Sequence, residues 1–408
     1  MANIPQGLIK AHEWTRPGAE QTTTIDQQVA EMIQTIRNDG DQAIENFSQK
    51  FDQFTPEVIT LKDYKDYGLD RQALSALETA AQRIQRFAEF QKQPFTNHRM
   101  QDEYGEYGQT IVPIESMAAY IPGGRFPLVS TALMTLIPAK VAGCQRRVAV
   151  SPSNHPALLA AASLAGATEC IKIGGTQAIA ALALGSQWAK KVDMIVGPGN
   201  AYVNSAKGQL QQHVKIDTLA GPSELLVIAD KDAPLDWVKL DLLAQSEHDP
   251  LALSVCVSWD EEWLKRLHNA LAEDSVGSAM LSKGNCQCVL AKNAEDATAF
   301  SNNMAPEHLS VMSHAIQDDA LSQYGALFVG RYSAVAYGDY CSGPNHTLPT
   351  LGFARQKGGL YVGDFLKVLS YQSINSKGNQ FLQEIGSQLA DLEGLTLHNE
   401  SMKVRQKD

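Results

Sequence analysis

The chain has 408 residues, of which 44% are hydrophobic and 19% charged, and its net charge is −11. That length and apolar content suffice for a buried core and two or three domains. The acidic balance, with "CQRRVAV" as the longest basic cluster, excludes a general nucleic-acid or anionic-membrane surface, which needs a basic patch.

The opening "MANIPQGLIKAHEW" lacks the charged start and apolar middle of a signal peptide. No apolar run approaches the roughly 20 residues that span a bilayer, so a cytoplasmic protein is expected. After an N-terminal segment, 1–23, residues 24–95 read as helical. "DQQVAEMIQTIRNDG" and "DRQALSALETAAQRIQRFAEFQ" carry apolar residues at three- and four-residue spacing. In "RNDGDQAIENFSQKFD" a Gly stop and an Asp start separate two helices. A Gly/Pro break follows at "YIPGGRFP".

From about 130 to 230 short apolar runs, "RVAVSP", "CIKIGG", "DMIVGPG" and "ELLVIAD", alternate with Ala/Leu-rich helical stretches. That βαβα order predicts a parallel sheet with covering helices. A second alternating block offers the strands "ALSVCVS", "CQCVLA", "HLSVMS" and "ALFVG", with helices near 235–246, 260–272 and 315–324. A Gly-rich stretch, "RQKGGLYVGDF", and a final helix, "QFLQEIGSQLADLEGL", close the chain. The expected fold is α/β: two Rossmann-like parallel-sheet units with helical N- and C-terminal segments. Residues 24–119 and 231–355 are expected to form one discontinuous α/β domain, 120–230 the second, and 356–408 a helical C-terminal segment.

The six cysteines are scattered, mostly in strand-like runs, and no CxxC pair suggests a structural zinc site. They read as reduced, buried small hydrophobes.

Two turns, "IGGTQAIA" and "VGPGNAYV", run from a strand end into a helix. Small residues there let a ligand approach the backbone, and a helix N-terminus favours anions such as pyrophosphate. Neither is a GxGxxG, so tight βα turns and nucleotide binding are both open readings. Gln177 and Asn200 fall in the first turns of these helices, as caps or as ligand contacts.

Four later stretches hold groups that bind metals or move protons. Gln245 and His248 are three apart in "LLAQSEHDP", so they share a helix face. Glu307 and His308 adjoin at a strand start, where both can face one pocket only at the strand's mouth. Asp339 and His346 lie in the loop "GDYCSGPNHTLP". His398 follows Glu393 by five residues in "LEGLTLHNE". Singly, each has a structural explanation; together they form an N/O donor set without thiolate, which suits a catalytic zinc.

These segments bring a family into view. "RNDGDQAIENFSQKFD", "AAYIPGG", "PAKVAGC", "GGTQAIAALALG", "VGPGNAYVNSAKGQL", "AGPSELLVIAD", "DLLAQSEHDP", "APEHL", "GDYCSGPNHTLPT" and "EGLTLH" resemble the histidinol dehydrogenase family, from about residue 25 to 405. The resemblance implies a zinc-dependent, NAD-linked enzyme. It would oxidise L-histidinol to L-histidine through an aldehyde in two hydride transfers, a step of histidine biosynthesis. It implies Gln245, His248, Asp339 and His398 as zinc ligands and Glu307 and His308 as the acid/base pair. Tyr120, Gln177 and Asn200 become NAD contacts, which makes 120–230 the NAD-binding domain. Ser223, His346 and Glu393 become substrate contacts. It also implies a homodimer in which the C-terminal histidine enters the partner's site, giving 356–408 a dimerisation role.

Some residues depart from the family's pattern. Arg125 stands after "PGG" where a small residue is usual, and Asp249 and Pro344 replace Gly and Thr. Arg125 either pairs with an acidic neighbour or recognises an anionic substrate group. The second reading makes the chain a paralogue acting on another polar or anionic alcohol, such as a sulfonated propanediol. A catalytically silent NAD/zinc-binding homologue would need neither Glu307 nor His308. A zinc hydrolase would leave the "GGTQ" and "GPGN" turns without purpose, and a plain binding protein would explain neither the Glu-His pair nor the donor set.

Overall fold

Strands Leu253–Ser258 and Glu224–Ile228 are buried at every position, as strands covered on both faces must be. In the computed structural model, which describes residues 7–17, 22–123, 128–247 and 249–406, they lie at the centre of a six-stranded sheet. Its order is Leu8–Lys10, Cys286–Leu290, Leu253–Ser258, Glu224–Ile228, His308–Val311, Ala326–Val329, and every pairing is parallel. A second six-stranded sheet runs Glu57–Ile59, Glu169–Lys172, Arg146–Ser151, Ser116–Tyr120, Met194–Val196, Lys215–Ile216. Only its edge strand Glu57–Ile59 is antiparallel. The fold is therefore α/β with two parallel-sheet units, as expected.

The sheets divide the chain differently from the expectation. "ELLVIAD" closes the first alternating block in sequence, yet Glu224–Ile228 pairs with Leu253–Ser258 and His308–Val311 in the other sheet. Residues 24–119 do not group with 231–355. Val29, Ile33, Ile36 and Ile44, from helices Thr22–Asp39 and Asp41–Phe51, share one core with Ile179 and Val203 beside the sheet of Ser116–Tyr120. Ile84 and Ala88 of helix Arg71–Lys92 pack with Leu133 and Ile137 of helix Val129–Ala142. Each apolar helix stripe is covered by its nearest apolar neighbour, which here is the second sheet's own layer.

Within the expected helix at 315–324 only a 3-10 turn, Asp318–Ala320, forms; no residue of it is buried, so it has no apolar face to dock. Helices Ser275–Lys283 and Ala294–Met304 were not anticipated. Nor was a third, antiparallel sheet of Leu366–Ile374, Gly105–Pro113 and His98–Gln101. Beyond it, helix Ser376–Glu393 folds back against helix Thr396–Lys403.

Five cysteines are buried and Cys341 is half-buried. Cys256 pairs in register with Cys288, and Cys286 is two residues away on the same strand. Burial raises the Cys286 thiol to about 12 and holds Cys256 and Cys288 far above the ordinary range. They are inert small hydrophobes, as read from the sequence.

Candidate active site

The two sheets present opposite ends to the candidate site. In the second sheet the Gly-rich turns follow the carboxyl ends of strands Glu169–Lys172 and Met194–Val196, the usual ligand edge of a parallel sheet. In the first sheet the acid/base candidates sit at the amino ends: Glu307 precedes strand His308–Val311, and Ser223 precedes its neighbour Glu224–Ile228.

Leu225 pairs with His308, so the two strand starts lie side by side. Glu307 is buried, and its Oε2 accepts from Ser223 Oγ at 2.6 Å and from the Glu224 amide at 2.7 Å. Ser223 Oγ in turn accepts from Gln245 Nε2 at 2.7 Å. Gln245 is the last residue of helix Leu235–Gln245 and is 3% exposed.

His308 is 3% exposed, and its Nδ1 lies 3.1 Å from the Glu224 carbonyl. A carbonyl only accepts, so Nδ1 carries a proton, and Nε2 faces Asp339 Oδ1 at 3.6 Å. Burial by itself opposes charge on this ring; the adjacent Glu307 and Asp339 carboxylates outweigh it and raise His308 to about 10. The Asp339 carbonyl accepts from His346 Nδ1 at 2.8 Å, and Thr131 Oγ1 lies 3.4 Å from His346 Nε2. Asn345 Nδ2 donates to the Met134 carbonyl at 2.5 Å. Asp339, expected in a loop, lies on the short helix Val335–Tyr340, and helix Val129–Ala142, which follows the carboxyl end of strand Ser116–Tyr120, braces the segment that runs from it to His346.

The turns of the second sheet are knit differently from one another. Asp52 accepts from the Gly174 amide at 3.1 Å and from Gln177 Nε2 at 3.0 Å. Burial raises the Asp52 pKa, and those two donors oppose it. Gln177, 1% exposed, therefore reaches across to Asp52 instead of capping its own helix. Tyr120 is buried, its hydroxyl accepts from the Gly175 amide at 3.2 Å, and burial pushes it up to about 12. Asn200 is exposed and caps helix Ala201–Leu210 through the amides of Tyr202 and Val203, both at 3.1 Å. Behind it, Lys207 and Asp217 form a fully buried ion pair. Asp217 accepts from the Gly197 amide at 2.7 Å and Lys207 donates to the Gly197 carbonyl at 3.0 Å, clamping a residue whose φ of 111° favours glycine.

Ser223, Gln245, Glu307, His308, Asp339 and His346 are thus brought into one network, and Tyr120 and Gln177 meet at the neighbouring turn. Glu393 and His398 lie on the exposed C-terminal helices, and among the described residues no hydrogen bond or ion pair joins them to that network. Among the described residues, no group of three or more His, Cys, Asp or Glu is placed to hold a metal ion. His248 and Arg125 lie outside the described residues.

Sequence reading missed Glu224, whose backbone holds both Glu307 and His308, and Asp52, which organises the Gly174 turn. An acidic residue heading the apolar run "ELLVI" is the signal that marks Glu224. Nothing near Asp52 in sequence points to Gly174, 122 residues away.

The histidinol dehydrogenase family profile matches residues 15–406. The chain belongs to the histidinol dehydrogenase family. It is 39% identical over 395 residues to the histidinol dehydrogenase of Methanosarcina barkeri, covering 92% of this chain and 91% of that protein. It is 38% identical to that of Thermus thermophilus, with 96% and 97% covered. The solved histidinol dehydrogenase of Elizabethkingia anophelis superposes with a TM-score of 0.87 at 34% identity, covering 96% and 94% of the two chains. Membership makes the chain an NAD-dependent dehydrogenase acting on a CH–OH group. No helix of the described residues is long and apolar enough to cross a membrane.

Proposed function

We propose that this chain oxidises L-histidinol to L-histidine through the aldehyde, as a zinc-containing homodimer. The supporting observation is the buried Gln245–Ser223–Glu307–His308–Asp339 network, which couples two proton-transfer groups to two oxygen donors.

The donors fit a zinc ion. Ser223 takes the amide nitrogen of Gln245, which leaves Oε1 as its ligand atom, and Asp339 supplies a carboxylate oxygen; His248 and the partner's His398 would complete an N/O set. When bound, zinc would act as a Lewis acid holding the substrate's amine and imidazole, and NAD would accept hydride. The chain's own residues do the rest. His308 keeps its Nδ1 proton on the Glu224 carbonyl; with Asp339 committed to the metal, its charge would no longer hold Nε2 protonated, and Nε2 is then the atom that takes the hydroxyl proton as hydride leaves. Glu307 Oε2 is held by two donors, so Oε1 is the oxygen that takes a proton from the water adding to the aldehyde. Thr131 and the Asp339 carbonyl orient His346 as a substrate contact.

Asp52 already satisfies the Gly174 amide and would repel a phosphate there. The dinucleotide phosphates therefore fit the Gly197–Asn200 turn, with Tyr120 and Gln177 shaping the adjacent wall.

The C-terminal helices argue for the dimer. Leu392 and Leu397 are 84% and 78% exposed, and Phe381, Ile385 and Leu389 are uncovered beside them. A contiguous apolar face of this kind marks an interface. A second copy covering it would carry His398 and Glu393 to its neighbour's network. Mixing inactive Glu307→Gln and His398→Ala proteins tests this. Sites built from both chains regain about a quarter of wild-type activity in the mixture, because half the dimers carry one intact site. No recovery refutes the shared site.

Arg125 keeps a second substrate in view. NADH formation with L-histidinol and with 2,3-dihydroxypropanesulfonate separates the readings. Two NADH per histidinol supports the proposal, and turnover of the sulfonate alone replaces it with the paralogue.

A further inference from the structure

Both backbone groups that hold the acid/base pair belong to one residue, Glu224: its amide donates to Glu307 Oε2 and its carbonyl accepts from His308 Nδ1. The Glu224 side chain points the other way, 2% exposed, into an ion pair with Arg16. Arg16 comes from the far N-terminal segment and also donates to the Met304 carbonyl. Met304 ends helix Ala294–Met304, Ala305 turns left-handed at a φ of 48°, and Pro306 leads into Glu307. One guanidinium therefore grips the two approaches to the site: the strand start that supports the pair, and the strained turn that launches it.

The anchorage of this segment is firm. Strand Leu8–Lys10 is the sheet's edge strand, Trp14 Nε1 donates to Gln287 Oε1 at 2.6 Å, and the Trp14 ring meets Phe300 edge-on at 5.2 Å. Arg355 donates to the neighbouring Asn303 carbonyl. Two cations thus meet the carboxyl end of helix Ala294–Met304, where the helix dipole favours positive charge. Burial, and then the charge of Arg355, lower Arg16 to about 10, and Glu224 is the anion it pairs with. The second carboxylate oxygen of Glu224, Oε2, is buried with no partner among the described residues, so Arg16 supplies the compensation this carboxylate has.

We infer that Arg16 is a positioning residue for the reaction, holding Glu224 and Met304 so that Glu307 and His308 stay in register with each other. It touches neither reacting group, and its effect is carried by the Glu224 backbone. The inference rests on the proposal that Glu307 and His308 move the protons.

The test compares Arg16→Ala, Arg16→Lys and Glu224→Gln as zinc-loaded enzymes, well below their melting temperatures, with Glu307→Gln as reference. Misplacement of the pair by a fraction of an ångström is expected to lower kcat by about 10- to 100-fold in Arg16→Ala, with KM for NAD unchanged. Millimolar guanidinium is expected to restore kcat, and Arg16→Lys to recover part of it. In 15N-histidine spectra the His308 Nδ1–H resonance is expected to shift in Arg16→Ala as the Glu224 carbonyl moves. Wild-type kcat and an unmoved resonance in folded Arg16→Ala overturn the inference. If Arg16→Ala does not fold, Glu224→Gln, which keeps the shape and both backbone groups, decides: a fall in kcat supports the clamp and an unchanged kcat overturns it. Full activity in Glu307→Gln would instead overturn the functional proposal, a result distinguishable from failure at Arg16.

Discussion

Ser223 Oγ donates to Glu307 Oε2 at 2.6 Å while accepting from Gln245 Nε2 at 2.7 Å. A single hydroxyl therefore orders both the proposed base and a proposed metal ligand. Ser223→Ala leaves Glu307 and Gln245 short of a partner in a buried site. Loss of such an orienting contact weakens metal binding by about 10- to 100-fold. Competition with a chromogenic chelator should show that drop, together with slower oxidation of the aldehyde. Unchanged zinc affinity would detach Gln245 from the metal.

The two halves of the reaction separate by residue. Glu307→Gln is expected to slow aldehyde oxidation by about 10²- to 10⁴-fold, the usual worth of a positioned general base. Alcohol oxidation should suffer less in that variant, and His308→Asn should reverse the order. Single-turnover NADH traces started from the alcohol or from the aldehyde distinguish these patterns.

A chain ending at Gly394 removes His398 and keeps both parallel sheets with the third sheet. Activity is expected to vanish while far-UV circular dichroism retains the α/β signature. Turnover by the truncated chain would exclude His398 from the site.

Lys207 and Asp217 are each 1% exposed. Lys207→Met leaves the carboxylate buried and alone, which costs about 3–5 kcal/mol. The Gly197 turn loses the Lys207 clamp on its carbonyl, so NAD affinity should fall as well. The double variant Lys207→Met/Asp217→Leu removes both charges and should recover most of the stability in thermal melts, without recovering NAD affinity. Equal stability of the single and double variants would mean that the pair is not coupled.

Asp241 lies on the Gln245 helix, and burial alone raises it to about 6 from 3.8. The folded state holds this proton to higher pH than the unfolded chain. Its contribution is therefore lost as pH rises from about 4 through 6, and a constant penalty persists above that. The carboxyl is only partly buried, so solvent screening trims the penalty to about 1–2 kcal/mol. Asp241→Asn should stabilise the protein by that amount at pH 7.5 and by almost nothing at pH 4. A gain independent of pH would show that the carboxylate is not the source.

Strands of the parallel sheets were legible as short apolar runs closed by turn residues and covered on both faces, as Leu253–Ser258 and His308–Val311 are. Their allocation was not, since Glu224–Ile228 follows the first block in sequence and pairs with the second in space. The antiparallel sheet escaped because strand Leu366–Ile374 is exposed at eight of nine positions, and no alternation of burial is written into it. In the site, Glu307 and His308 were legible as a polar pair heading an apolar strand. Asp52 and Arg16 act across 122 and 208 residues of chain, and no local pattern records such partnerships.

Cys256 and Cys288 face each other inside a sheet that carries the acid/base pair at one end. No thiol reagent can reach them while that sheet is closed, whereas Cys341 stands half-buried at the end of helix Val335–Tyr340, which carries Asp339. The rate at which the buried thiols react is therefore a clock for the opening of the sheet, and Cys341 supplies the zero of that clock. Substrate-level ligands that tie the two strand starts together should slow it, so the chain carries its own built-in reporter of how tightly its catalytic end is shut.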